Sequence, residues 1–467
     1  MDEFDMFTDN CKQDYYEGVA TMKSYLWKHV QLSLAVFLVA IICLWNPAVA
    51  KADVEFKDLP SIVKSASLGG EVFTTWRGDN SAFFTKDKDY RWAEGHAKLY
   101  VNAVMANDVE ANFGLVYKWT AGEDFYSDPI FFGYTYDGLG TSNSSDFTVD
   151  TAYLKFNTVF DSPFSITVGK QYYELEKQFL VSDGTKCADS ATWLNSERAF
   201  PIAVRVDADF GKLQATLFGA KLDTNDHHSE VLFGDGLYLY NANLHYDVSD
   251  AFYAYGGYLQ QRDTDFDDNT AAAYAGADLI LGNLHLEGEY VLEFGDMAGD
   301  VDRDAWAYFF SADYTFADAA TSPYVRATIL SFSGDDVDTA DKNEDFYGFS
   351  YGFTDWGTWF LGEIVGEQQV FNSNMTCYKA EAGFYPTEWL HAKAMYFKTM
   401  INEKEAFGLA DDDYADEVNL LFEFPIAPDF VFGGILLGAA KPGDAAEEMW
   451  GDDETAYVIM PHMVYVF

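Results

Sequence analysis

The sequence predicts an all-β protein, a transmembrane antiparallel β-barrel of about 18 strands with short periplasmic turns and long acidic extracellular loops. Segments of about ten residues alternate apolar and polar side chains, as strands with two different faces do. Aromatic residues make up 18% of the chain. The last segment alternates as well, and its apolar parity is carried by Tyr457, Ile459, Met463, Tyr465 and Phe467.

Residues 1–50 contain the pattern of an export signal. Lys23 and Lys28 precede an apolar run over residues 31–45, and Ala48-Val49-Ala50 matches a small-residue cleavage site. That run is shorter than the roughly 20 residues that cross a bilayer as a helix. An N-terminal anchor on a cytoplasmic protein is the alternative. The expected organisation is an upstream extension (1–21), a cleaved signal peptide (22–50), a periplasmic segment (51–66) and an outer-membrane barrel (67–467).

Tight turns join the alternating segments in pairs, and long polar stretches separate the pairs. Turns are expected at residues 106–108, 160–163, 210–212, 248–250, 281–283, 317–322, 386–389 and 425–429. These pairs, a first strand at 68–76 and the C-terminal strand give the even count that a closed single-chain barrel requires. Pro461 lacks an amide hydrogen, which predicts a bulge or a local gap in the last strand.

A soluble β-sandwich or propeller is the alternative fold, with the apolar face turned into a core. Aromatic residues at both ends of many segments favour a lipid-facing girdle instead. The terminal Phe467, with apolar residues at alternate positions before it, resembles the signal that outer-membrane assembly machinery recognises. That machinery and outer-membrane lipid are therefore expected partners.

The alternation also assigns side chains to a lumen. A lipid-facing Arg or Lys near the bilayer midplane costs about 2–4 kcal/mol, so charged positions are expected to face inward. The residues predicted to line a pore are Glu71, Arg77, Lys98, Glu110, Lys118, Lys155, Arg205, Asp207, His285, Glu287, Glu289, Arg326, Lys379, Glu381, His391 and Lys393. Acids and bases nearly balance among them. Two interpretations, which are compatible with each other, are that they form the charged wall of a water-filled channel and that they pair with one another and brace the barrel.

The formal net charge is −47, and the acid-rich stretches fall between strands on the long-loop side. Such acidity argues against nucleic acid as a partner. It suggests a vestibule that attracts cations, although a merely solvated acidic face is the alternative. The stretch DTDFDDN lacks the Gly and the late Glu of a calcium loop, so no metal site is predicted. No cofactor is expected either, because C-x-x-C-H is absent from the sequence.

The predicted function is passive diffusion of small hydrophilic solutes through a cation-favouring porin-like channel. A barrel scaffold or sheath around a partner such as a cytochrome is the second hypothesis. An enzyme ranks third, because neither G-x-S-x-G nor H-E-x-x-H occurs in the sequence. Cys187 in an outer loop and Cys377 near a strand end would meet an oxidising compartment after export, so a disulfide between them is an open possibility.

Three stretches carry a resemblance to a known family. They are SASLGGEVFTTWR, the hairpin that ends in Gly169-Lys170-Gln171, and the aromatic loop followed by CYKAEAGFYPTEWLHAKAMYF. They are similar to the alginate-export family of outer-membrane barrels, and this resemblance implies about 18 strands and adds polysaccharide export as an alternative function.

The sequence departs from that family in two respects. The resemblance implies an Arg-rich lumen, whereas the predicted lumen is balanced. It also implies a long periplasmic plug near the last strands, whereas the turn PIAPD is short. Any constriction is therefore expected from the outer loops 120–146, 173–198 and 333–375.

Overall fold

The alternating segments form one antiparallel sheet in a computed structural model. It describes residues 63–86, 88–123, 145–159, 162–181, 199–221, 236–264, 268–297, 301–346, 349, 357–366, 373–427 and 431–467. The strands within these residues are β1 (Val63–Asn80), β2 (Tyr90–Met105), β3 (Val109–Glu123), β4 (Ser145–Phe156), β5 (Phe164–Gln171), β6 (Phe200–Asp209), β7 (Leu213–Lys221), β8 (Leu237–Ser249), β9 (Phe252–Asp263), β10 (Asp268–Leu281), β11 (Leu284–Met297), β12 (Val301–Thr315), β13 (Tyr324–Phe332), β14 (Lys342–Asn343), β15 (Met375–Thr387), β16 (Leu390–Ile401), β17 (Asp413–Ala427), β18 (Val431–Pro442) and β19 (Ala456–Val466).

The sheet closes on itself between its first and last strands. β1 pairs antiparallel with β19, from Glu71 opposite Val466 to Asn80 opposite Tyr457. The two-residue β14 pairs in parallel with β12 and lies in the connection between β13 and β15, which pair directly with each other. Closed antiparallel pairing through the remaining strands confirms the predicted barrel and its strand count. β1 begins at Val63, slightly before the expected barrel boundary at residue 67.

The hydrogen-bond ladder at Pro461 is continuous on one side only. Pro461 lies opposite Ile435 of β18, whereas the pairing with β1 skips from Thr75 opposite His462 to Gly78 opposite Ile459. Proline fits a strand where its missing amide hydrogen is not needed. Thr75 Oγ1 donates to the Pro461 carbonyl at 3.2 Å, and the predicted local gap thus lies on the β1 side.

The two faces of the barrel are reversed relative to those of a water-soluble protein. On the outer face, Leu99, Leu244 and Leu292 are 42%, 56% and 49% exposed. On the inner face, the charged Arg77 and Glu381 are 3% and 6% exposed. This distribution is that of a sheet whose outer surface meets lipid, and the sandwich and propeller alternatives are excluded.

Helical elements lie in the connections between strands. Helix α1 (Asp444–Trp450) lies between β18 and β19, and a helical segment, Gly357–Gly366, lies between β13 and β15. Single 3-10 turns form at Ala82–Phe84, Ala106–Asp108 and Lys404–Phe407. Within the described ranges, no helix is long and apolar enough to cross a membrane.

A charge on the outer face of β2 should test the assignment of the two faces. We expect Leu99→Arg to lower the free energy of unfolding in detergent or lipid by about 2–4 kcal/mol, because a cation near the bilayer midplane loses its hydration. The matched control is Asn102→Arg, on the inner face of the same strand and beside a cavity. Urea titration followed by tryptophan fluorescence measures both variants, and equal losses would contradict the assignment.

Candidate functional site: a narrowed, charged lumen

Residues 172–181, which directly follow β5, fold into the barrel; this segment is called the strap. Its Tyr173 ring stacks on Phe218 of β7 with centroids 4.0 Å apart. Phe179 packs against Phe309 of β12 and Phe332 of β13, with centroids 5.2 and 5.8 Å away. The strap therefore follows the inner wall from β7 to β13. Its other buried apolar residues, each at most 2% exposed, are Leu175, Leu180 and Val181.

Two charged side chains also fasten the strap to the wall. Glu176 accepts a hydrogen bond from Asn243 Nδ2 at 2.5 Å and lies 3.0 Å from Nδ1 of His245, both on β8. Lys177 pairs with Asp278 of β10 and, at 2.7 Å, with Glu287 of β11. Burial alone would lower the pKa of Lys177, but these carboxylates outweigh burial and hold its pKa above the ordinary value.

The strap cation lies among groups that could coordinate a metal. Asp278, His285 and Glu287 offer ligand atoms that all lie within 4.8 Å of one another. The Lys177 ammonium, however, bridges Asp278 and Glu287. A metal would have to displace it, and the cluster supports no metal centre as it stands.

The helical segment Gly357–Gly366, called the inner helix, packs against the inner face of β15 to β19. Glu363 is fully buried and pairs with Nη1 of Arg77 on β1, while Nη2 of Arg77 donates to the Glu363 carbonyl at 3.1 Å. Glu417 of β17 accepts hydrogen bonds from the amides of Ile364 and Val365, each at 2.9 Å. Three consecutive residues of the inner helix, Glu363, Ile364 and Val365, are thus held by buried, charge-assisted contacts.

Gly362 allows the inner helix to approach Glu417. Its φ of +94° lies in a region that residues with a Cβ rarely adopt. A Cβ added there would lie 2.5 Å from Oε2 of Glu417. Glycine at this position is therefore favoured by its backbone conformation, and a Cβ would also require the Glu417 carboxylate to shift.

A cavity of about 450 Å³ lies between Tyr172 of the strap and the inner face of β2 to β6. Lys98 donates to the hydroxyl of Tyr172 at 3.0 Å, and that hydroxyl donates to Asp150 at 2.5 Å. Arg205 pairs with Asp207 at 2.8 Å. Two further bases line the cavity: Lys98 is directly opposite Glu71 of β1, and Lys155 is directly opposite Glu110 of β3.

The predicted pore-lining residues fall into three sets. Those lining the cavity are Lys98, Lys155, Arg205 and Asp207. Those buried to 6% exposure or less are Arg77, Lys118, Glu289, Lys379, Glu381 and Lys393. Those half-buried on the inner face are Glu71, Glu110, His285, Glu287, Arg326 and His391. Strand parity identified the inner face, but it could not separate the charges that line the cavity from those that are buried. A pore-lining role stays a prediction.

Many inner-face charges pair with the residue two positions along the same strand. Arg77 pairs with Asp79 at 3.1 Å, Arg205 with Asp207 at 2.8 Å, and Lys379 with Glu381 at 2.8 Å. Residues two apart share a face of a strand, so long side chains can meet there. Bracing of the wall by acid–base pairs therefore accounts for part of the balanced charge.

Other predictions concern residues outside the described ranges. Residues 1–62, which include the expected export signal, are among them, as are Cys187 and most of the loop 120–146. Cys377 is fully buried on β15, and Oγ1 of Thr399 lies 3.9 Å from its Sγ. The disulfide between Cys187 and Cys377 stays a prediction.

A closed barrel with an apolar outer face and a charged, partly filled lumen defines the class of outer-membrane β-barrels of the porin type. The chain matches the model of the alginate export family over residues 111–406, and it belongs to that family. The fold therefore places the protein in the bacterial outer membrane.

Solved structures with the same fold include two from Pseudomonas aeruginosa. OccK9 (OpdG) superimposes with a TM-score of 0.54 at 12% identity, covering 86% of this chain and 98% of its own. OprD superimposes with a TM-score of 0.53 at 10% identity, covering 89% of this chain and 98% of its own. At such identities the likeness concerns the fold alone. None of the curated proteins matches the chain.

Proposed function

We propose that the protein is a channel for passive diffusion of small hydrophilic solutes and that it favours cations. The observation that carries this proposal is the charged cavity of about 450 Å³ inside the closed barrel, beside the start of the strap at Tyr172. A charged, hydrated path through a barrel suits solutes that are themselves well hydrated.

The proposed cation preference is based on exposed acidic residues at the end of the barrel where the long connections lie. Exposed acids in the β13–β15, β16–β17 and β18–β19 connections are Asp336, Asp338, Asp341, Glu405, Asp412, Asp444, Glu448 and Asp453. Grouped charges of one sign raise the local concentration of the opposite ion. With a Debye length of about 8 Å at physiological ionic strength, this enrichment reaches the mouth but fades toward the interior.

The reversal potential in a planar bilayer under a KCl gradient tests the proposal. We expect steady single-channel current and a potential of the sign given by K⁺ preference. The triple variant Asp336→Asn, Asp338→Asn, Asp341→Asn should move that potential toward zero. Its matched control, Asp209→Asn, Asp250→Asn, Asp318→Asn, removes exposed acids from the short-turn end and should leave a smaller change. A barrel without current would refute the channel.

Export of an anionic polysaccharide is the second candidate. The observation in its favour is the set of cavity bases Lys98, Lys155 and Arg205. The acidic connections oppose it, because they repel a polyanion at the mouth. An anion-selective reversal potential would favour this candidate over the first. The sheath hypothesis is weaker, because the barrel's own strap and inner helix already occupy much of the inner wall.

Export and assembly belong to the same proposal. The signal peptide at 22–50 is expected to deliver the chain across the inner membrane. Phe467 at the C-terminus is proposed as the contact for outer-membrane assembly machinery. If deletion of Phe467 left insertion into the outer membrane unchanged, the proposed role of this residue would be refuted.

A further inference from the structure

Lys177 of the strap contacts side chains from three neighbouring strands of the barrel wall. Asp278 of β10 is directly opposite Tyr253 of β9 and directly opposite Glu287 of β11. The Lys177 ammonium contacts both carboxylates and lies 5.4 Å from the centroid of the Tyr253 ring. The Tyr253 hydroxyl also donates to Asp278 at 3.2 Å. Three directly opposed residues on adjacent strands thus offer two anions and one aromatic face. Asp278, Glu287 and Tyr253 are together called the cation seat.

Without a bound cation, repulsion between the two carboxylates of the cation seat would destabilise the barrel. Like charges directly opposite each other on neighbouring strands are destabilising, and Asp278 and Glu287 are such a pair. Their side chains are only 9% and 13% exposed, so water screens the repulsion poorly. Cations at this position therefore stabilise the strand pair: the Lys177 ammonium comes from the strap, and the His285 ring of β11 lies 3.0 Å from Asp278.

We propose that Asp278, Glu287 and Tyr253 form a binding site for primary alkylammonium solutes, and that Lys177 is a tethered competitor for that site. This inference rests on the proposed function, since a solute must enter the lumen to reach the seat. The lysine side chain is itself a primary alkylammonium, and its contacts show which ligand chemistry the seat accepts. Solute binding and docking of the strap cation are then mutually exclusive.

The neighbouring histidine favours an organic cation over a metal ion. Nε2 of His285 lies 3.0 Å from Asp278, and Nδ1 lies 2.8 Å from Asp313. An ionised carboxylate accepts hydrogen bonds and donates none, so the ring makes both contacts as an imidazolium cation with N–H on each nitrogen. Neither lone pair is then available to a metal. An ammonium needs only acceptors and an aromatic face, which the seat provides.

Removal of the tethered competitor tests the proposal. The probe is n-butylammonium chloride, added to the full-length mature barrel in a planar bilayer. We expect the half-blocking concentration to fall about tenfold in Lys177→Met relative to the unchanged protein, as one charge-assisted contact is made available. Lys177→Gln carries the same expectation. Adding Asp278→Asn to either variant should abolish the gain.

Matched controls separate the seat from general electrostatics. Lys155→Met also removes one cation from the lumen but leaves Lys177 in the seat, so its half-blocking concentration should stay close to that of the unchanged protein. Tetramethylammonium has the same charge without N–H donors and should gain little from Lys177→Met. Equal gains in the Lys155 and Lys177 variants, or equal gains for both ions, would overturn the proposal.

Thermal unfolding in detergent provides a readout that is independent of current. We expect n-butylammonium to raise the melting temperature of the single variant Lys177→Met. The melting temperature of the double variant, which also carries Asp278→Asn, should not change. A larger shift with calcium or zinc chloride would overturn the proposal in favour of a metal site. If the barrel carried no current, the proposed channel would fail, while the melting shift would still decide whether the seat binds alkylammonium.

Discussion

Arg77→Met is expected to lower the free energy of unfolding by about 3–5 kcal/mol, because it leaves buried carboxylates without their cation. Arg77 is 3% exposed, and it holds both Asp79 on its own strand and Glu363 of the inner helix. Loss of this contact should also free the last turn of the inner helix and raise channel conductance. Heat-modified mobility on gels reports the stability, and single-channel recording reports the conductance.

Two further variants test whether the loss comes from the buried pair. Arg326→Met removes a lumen cation that is 34% exposed and 3.6 Å from Asp313. Its cost should stay near the 0–1 kcal/mol of solvent-screened pairs. Glu363→Gln added to Arg77→Met should recover part of the stability, because one unpaired charge is removed. Equal losses in Arg77→Met and Arg326→Met would show that burial of the pair is unimportant.

Local periodicity was enough to predict the barrel and its two faces. Alternation in β2 placed Lys98 inward and Leu99 outward, since successive side chains of a strand point to opposite sides. Leu99 is indeed 42% exposed on the outer face, and Lys98 lines the cavity. The same periodicity places Arg77 and Asp79 on one face. Their contact follows from chain geometry without knowledge of any distant residue.

The interior of the lumen could not be predicted in the same way. The positions of the strap and the inner helix depend on contacts between distant parts of the chain, such as Phe179 with Phe309 and Glu363 with Arg77. The composition of the strap nevertheless indicated that it is buried. Leu175, Phe179 and Leu180 in a nominal outer loop are too apolar for a solvated segment, and their burial explains them.

The cation seat shows a third limit of sequence reasoning. Glu287 and Asp278 were each visible as charges near a turn, but their direct opposition depends on the register of β10 against β11. A shift by one residue would turn each side chain to the other face of the sheet. The opposition of the two acids can be recognised only when the register is known. The role of Lys177 as their cation can be inferred only after that.

Replacing residues 173–181 by an equally long Gly-Ser segment should raise single-channel conductance severalfold, because the strap would no longer cover the inner wall from β7 to β13. Stability should fall at the same time. Each of Leu175, Phe179, Leu180 and Val181 is at most 2% exposed and would forfeit roughly 1.5–3 kcal/mol of apolar burial, partly regained by contacts within the emptied lumen.

The control for the strap is a Gly-Ser replacement of the same kind over residues 335–341, whose side chains are mostly exposed at the long-connection end. That variant removes acidic charge at the mouth but no lumen filling, so it should change ion selectivity more than conductance. Unchanged conductance in the strap variant would mean that the narrowest part of the path lies elsewhere. Because the strap also carries Lys177, its removal should expose the cation seat, and n-butylammonium should then block the widened channel only while Asp278 and Glu287 are both present.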